Sequence, residues 1–179
     1  LDKKAVRAGV SSFRRISDES IPARIKCGSN YQNSRLGLME VQAGGFDKVI
    51  FLTQAGKVSE GAGEAIFLVR DQKLETPAIT EGILESITRE TIIEIARESF
   101  GIQVGERVID RTELYISDEV FFAGSMAEIR PVTEVDSLLI GDGQVGKLTA
   151  AIWEKLESIC RGMLSDHESW RTKVFDHQQ

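Results

Sequence analysis

An α+β domain, or an α/β domain with mixed strands, is the fold class the sequence predicts, on three observations. Alternating strand-like segments crowd its first half, helical stripes are interspersed among them, and no stretch repeats another. Residues 5–16 ("AVRAGVSSFRRI") and 20–26 ("SIPARIK") read as extended. Residues 31–45 set Leu36, Leu38, Met39 and Val41 on one helical face, with Gly44-Gly45 as the stop. "KVIFLT" (48–53) reads as a strand, "QAGK" as a turn, and residues 57–77 as strands around a glycine-rich bend. Ser86 opens a helix over 86–101, striped by Ile92, Ile93, Ile95 and Ala96 and closed by Gly101. A strand over 103–109, a short polar helix near "RTELYIS" and strands over 118–125 and 129–141 come next. A last helix covers 147–164.

With 179 residues the chain fills one domain or a large piece of one, and 41% hydrophobic with 28% charged residues is ordinary globular composition. A net charge of −6, with no basic block longer than a pair, argues against nucleic acid or an anionic membrane as the main partner. No apolar run approaches the roughly 20 residues a bilayer span needs. Cys27 and Cys160 make neither a disulfide framework nor a metal spacing, so a reducing cytosol is the expected setting. His167 and His177 stand far downstream with no acidic spacing beside them, and no metal site is expected. The strand-like opening, with almost no leader before it, predicts a chain that starts in mid-architecture.

Several loops carry chemistry. "GDGQVG" (141–146) matches G-x-G-x-x-G between a strand and a helix, but no parallel strand with an acidic end follows. A turn into the terminal helix explains it better. Lys26 ends the apolar run "SIPARIK" before Cys27, Gly28, Ser29, Asn30 and Tyr31. It reads either as a snorkelling surface lysine or as a partly dry, nucleophilic amine. "SEGAGE" (59–64) puts Glu60 and Glu64 on a backbone open to close approach; a bulge with solvated acids is the plainer reading. In "LESITRE" (84–90), Ser86, Ile87 and Thr88 form a helix start suited either to simple capping or to a phosphate. "FFAGSMAE" (121–128) runs an apolar strand into Gly124-Ser125, where a reversing turn suffices. Taken together, an amine, an acid on a glycine bend, an anion-ready helix start and a small-residue turn suit an aldehyde cofactor bearing a phosphate and a basic pyridine nitrogen.

Four blocks, "IPARIKCGSNYQNS", "GKVSEGAGEAIFLV", "ILESITRETII" and "DEVFFAGSMAEIRPV", resemble those of the class IV pyridoxal-phosphate aminotransferases (fold type IV), and most closely the branched-chain amino acid enzymes. The resemblance covers nearly the whole chain. It implies that residues 1–179 form the large C-terminal, pseudo-barrel domain of such an enzyme, with a small N-terminal domain outside the sequence. It further implies pyridoxal 5′-phosphate as cofactor, held by Lys26 as the Schiff-base lysine. Tyr31 is implied at the cofactor's phenolic oxygen, Glu60 at the pyridine nitrogen and Leu84 on the ring face. Ile87, Thr88, Ser125 and the adjoining Gly124 are implied at the phosphate, and Met126 and Ala127 at the substrate carboxylate. Ser125-Met126 stands where many members have Thr-Ala, and Ala65 where many have Asn. The family's phosphate-clamping arginine and its pocket-lining aromatics belong to the small domain. The expected reaction is amino transfer from a hydrophobic L-amino acid to 2-oxoglutarate. A D-amino acid aminotransferase, an aminodeoxychorismate lyase and a non-catalytic fragment acting through a partner are the rival readings. An apolar face uncovered by the small domain would favour a homodimer, a higher homo-oligomer or a separate chain carrying that domain.

Overall fold

A computed structural model of the chain describes residues 5–172. One mixed sheet organises it, in the order β2-β1-β7-β6-β3-β4-β5, with β8 pairing β7. The strands are β1 (Val6–Arg14), β2 (Lys48–Leu52), β3 (Ala65–Arg70), β4 (Lys73–Pro77), β5 (Val104–Arg107), β6 (Glu119–Gly124), β7 (Glu128–Val135) and β8 (Leu138–Leu139). The helices are α1 (Asn30–Ala43), α2 (Ile87–Phe100) and α3 (Lys147–Cys160), with short 3₁₀ turns at Arg111–Ile116 and Glu168–Trp170. β1 and β2, joined through α1, run parallel, as do β4 and β5, joined through α2.

The two edges of the sheet are brought together by residues 57–60. On one side Phe51 N–H donates to the Glu60 carbonyl and Ser59 N–H to that of Phe51, both at 2.9 Å. On the other, Val58 N–H donates to Ile109 just beyond β5, at 2.9 Å, and Lys57 bridges Asp110. This closure makes the pseudo-barrel, and it sets Glu60 on the seam.

Period-two alternation then sorts the strand residues between two cores. Ile66, Leu68, Val120, Phe122 and Val132 fill the barrel interior with Ile50, Leu114 and Ile140. Ala65, Phe67, Val69, Phe121 and Ala123 face outward onto Ile92, Ile95, Trp153 and Leu156 of α2 and α3. The Phe67 and Phe121 rings stack at 5.0 Å. α1 packs on the remaining face through Val41, beside Val49 and Phe51.

Most predicted elements are present, with four corrections. Residues 20–26 are a chain of turns, not a strand, because Pro22 and two successive turn hydrogen bonds, Ile21 to Ser17 and Ile25 to Pro22, curl the backbone. In α1, Leu36 and Met39 point outward; the buried face is Asn30, Ser34, Gly37 and Val41. Gly37 is needed there, since a Cβ would lie 2.4 Å from the Phe51 ring. The strand expected over 129–141 is broken by left-handed Asp136 and Ser137 into β7 and β8. The last helix ends at Cys160 rather than 164, where Gly162 turns left-handed. Among the described residues no helix is long and apolar enough to cross a membrane.

Candidate active site

A cavity of about 380 Å³ gathers residues from four connections of the fold. Lys26 and Tyr31 come from the β1–α1 passage, Glu60 and Glu64 from the seam and its bend. Leu84 and Ser86 come from the β4–α2 loop, and Gly124 to Ala127 from the β6–β7 turn.

The ammonium of Lys26 donates to the Tyr31 hydroxyl at 2.9 Å. Tyr31 lies in the first turn of α1, so the helix fixes the phenol while Lys26 stays in the preceding loop. Of the two readings open for Lys26, the structure shows the surface one: the side chain is exposed, because "SIPARIK" forms turns that leave its end at the surface.

Glu60 is buried, only 6% exposed, while Glu64 four residues on is taken up by Lys48. One Glu60 oxygen meets Arg15 at 2.6 Å and the other accepts the Leu84 N–H at 3.0 Å. Burial pushes its carboxyl up to about 7. Arg15 and the Leu84 N–H pull it down, nearby Glu64 pushes it further up, and Lys26 draws it down. Between the two acids of the bend, only Glu60 keeps a carboxylate without a lysine partner facing the cavity.

The helix start does both things its sequence allows. Ser86 caps α2, accepting from Arg89 N–H at 3.3 Å. Ile87 and Thr88 then present first-turn amides that no helical carbonyl takes. Thr88 Oγ1 lies 3.3 Å from Ser125 Oγ, so two hydroxyls and the helix start converge. Ile87 and Thr88 line a second cavity of about 650 Å³ beside the first; Gly124 and Ser125 line both. A Cβ at Gly124 would stand 3.2 Å from the Gly63 carbonyl, so a side chain at that junction would press on the glycine bend. Met126 is 98% exposed at the turn.

Two other loops resolve as predicted or against prediction. The "GDGQVG" loop runs into α3, whose first amides, Leu148 and Thr149, are claimed by the carboxylate of Glu119 at 3.0 and 2.7 Å. An internal acid thus fills the place a phosphate would need. Sequence spacing gives His167 no acidic partners, but the fold sets its ring nitrogens 3.6 Å from Glu94 and 4.0 Å from Glu98, one turn apart on α2. Folding brings together what sequence spacing keeps apart. His177 lies outside the described residues.

Sequence reasoning missed Arg15. Its signal was a second arginine at the end of an apolar strand, "SSFRR", which reads as an ordinary exposed terminus. It missed Lys48 too, which looks like a strand's solvent-facing first residue.

The family described as Amino-transferase class IV matches residues 1–135. The chain is 42% identical to a probable branched-chain-amino-acid aminotransferase of Aquifex aeolicus over 97% of its own length and 56% of the relative's. It is 40% identical to the Escherichia coli branched-chain-amino-acid aminotransferase over 96% and 55%. Among solved structures, it superposes on the branched-chain amino acid aminotransferase of Thermobaculum terrenum in PLP-form with a TM-score of 0.95. The two are 42% identical, over 98% of this chain and 57% of that one. A second solved branched-chain amino acid aminotransferase, from T.th., complexed with N-(5′-phosphopyridoxyl)-L-glutamate, aligns at a TM-score of 0.92 and 36% identity, over 95% and 57%. The chain therefore spans little more than half the length of these relatives. With a family match over most of its residues and this fold, the chain belongs to the class IV aminotransferases.

Proposed function

We propose that the chain is the cofactor-binding part of a pyridoxal-phosphate-dependent aminotransferase acting on branched-chain L-amino acids with 2-oxoglutarate. One observation carries the reading. A lysine hydrogen-bonded to a tyrosine shares a cavity with a buried glutamate, and the Thr88–Ser125 hydroxyl pair stands at its edge. The relative crystallised with a phosphopyridoxyl-glutamate supports glutamate and 2-oxoglutarate as the second pair. The branched-chain relatives support the first, and give no support to the D-amino acid or lyase alternatives. The free cysteines fit a reducing, cytosolic setting.

The donor set fits the cofactor group by group. Lys26 Nζ is the amine that would hold it, with Tyr31 at its phenolic oxygen and Leu84 against its ring face. Thr88, Ser125 and the amides of Ile87 and Thr88 would bind its phosphate. Glu60 would meet its pyridine nitrogen. When bound, pyridoxal phosphate supplies a carbonyl that takes up amino groups and a ring that draws in electrons released at the substrate Cα. With the cofactor bound, Lys26 Nζ would be the base that accepts the proton from the substrate Cα and the acid that gives it back. Tyr31 orients the amine through the hydrogen bond already present. Glu60, as an anion, would hold a proton on the ring nitrogen and so favour its positive charge. Ala127 and Met126 offer backbone amides to the substrate carboxylate from the β6–β7 turn. The exposed side chains of Leu36, Met39, Ile87 and Met126 support a further covering surface, whether a small domain, a second copy or both.

The test is transamination by the full-length protein. Isoleucine, leucine and valine should be accepted with 2-oxoglutarate, and Lys26→Ala should abolish turnover while leaving the melting temperature nearly unchanged, since an exposed lysine contributes little stability. Turnover of D-amino acids alone, or undiminished activity in Lys26→Ala, would contradict the reading.

A further inference from the structure

An ionised carboxylate offers about four acceptor sites, and the fold fills only part of those on Glu60. Arg15 takes one oxygen and the Leu84 N–H the other. Arg15 is itself held from three directions. Its N–H donates to the Leu52 carbonyl at 2.8 Å, its carbonyl accepts from Gln54 Nε2 at 3.1 Å, and its Nε donates to the Gly82 carbonyl at 3.1 Å. One guanidinium therefore ties the end of β1 to the seam and to the loop that carries Leu84. Both members of the ion pair are nearly fully buried.

Stability alone does not account for such a pair. Taking two charges out of water costs about what their attraction returns, and an apolar pair of similar volume would serve the fold as well. Arg15 even leaves Nη1 buried without a hydrogen-bond partner. What the pair does achieve is control of a carboxyl that burial would otherwise neutralise.

Building on the assignment of Glu60 to the cofactor's ring nitrogen, we propose that Arg15 is a positioning residue: it favours the anionic form of Glu60 against the burial of that carboxyl and pins one oxygen, leaving the remaining lone pairs for a cation in the cavity. The other groups acting on Glu60 cannot replace it. Lys26 is exposed and engaged with Tyr31, Glu64 on the same bend acts in the opposite direction, and the Leu84 amide is neutral. A lysine at position 15 would supply charge but not the planar fork that reaches Gly82 and Glu60 together.

The test titrates Glu60 in the full-length, unliganded protein by its 13C-labelled side-chain carboxyl. Arg15→Gln should raise the midpoint by about one to three pH units, and Arg15→Lys should restore much of the difference. In the holoenzyme, the acidic limb of the rate profile should move the same way. An unchanged midpoint in Arg15→Gln, or a lysine variant indistinguishable from the glutamine one, would overturn the proposal. Should Arg15→Gln fail to fold, the native protein decides. The Arg15 15Nη resonances should follow the Glu60 titration, since Nη2 is the nitrogen that meets Glu60, and a flat response would overturn the pairing. Failure of the cofactor assignment would look different: Arg15 would still move the Glu60 midpoint, while Glu60→Gln left the cofactor spectrum and the rate unchanged.

Discussion

Three residues separate Glu60 from Glu64, yet one faces Arg15 and a backbone amide while the other is committed to Lys48. The glycine bend sets both acids at the cavity, and only the partners differ. Glu60→Gln should cost about a hundredfold or more in kcat, the scale of losing one preorganised electrostatic contact, with substrate KM little changed. Glu64→Gln should cost far less in rate; steady-state kinetics of the two variants decides, and the reverse order would move the ring-nitrogen assignment to Glu64. Lys26, Tyr31 and Glu60 were singled out by the family resemblance; by themselves an amine after an apolar run and acids beside glycines read more plainly as a surface lysine and a solvated bulge. Their environments were not legible. Burial of Glu60 and exposure of Lys26 depend on the seam between distant strands, and Arg15 becomes meaningful only when β1 ends against it.

At the scale of elements, period and punctuation carried most of the fold. The α2 stripe of Ile92, Ile95 and Ala96 is buried, Ser86 caps its start and left-handed Gly101 closes it. α1 was misjudged on its buried face because it packs through small and polar residues against Phe51, which hydrophobic spacing does not reveal. The 3₁₀ turn at Arg111–Ile116 is held by charge: Arg107, on β5, reaches Glu75 on β4 and Glu113 in the turn. Hydrogen bonding from Arg107 holds the Glu113 carboxyl down at about 2. A depressed carboxyl contributes stability above its unfolded value and loses it as pH falls through its folded one. The stability gap between the native protein and Glu113→Gln should therefore be full above pH 4.5 and close as pH falls towards 2. Chemical denaturation across that range measures it; a gap independent of pH would contradict the role given to this ion pair.

At the scale of the whole molecule, closure of the sheet by residues 57–60 could not be read from the chain, because it joins segments about fifty residues apart through a few hydrogen bonds. The family resemblance implied it; pattern alone did not. If the chain is the large domain that the resemblance implies, the family's phosphate-clamping arginine would come from outside residues 1–179. Losing one such bidentate, charge-assisted contact costs about 1.5–3 kcal/mol, tenfold or more in affinity. Residues 1–179 expressed alone should thus bind pyridoxal phosphate at least about tenfold more weakly than the full-length protein, as equilibrium titration would show. Equal affinity would mean this domain suffices. The central claim, that this cavity holds the cofactor on Lys26, is tested most directly by borohydride reduction of the full-length holoprotein followed by peptide mapping. The phosphopyridoxyl label should fall on Lys26 alone; a label on Lys48, Lys147 or any other lysine would contradict the account.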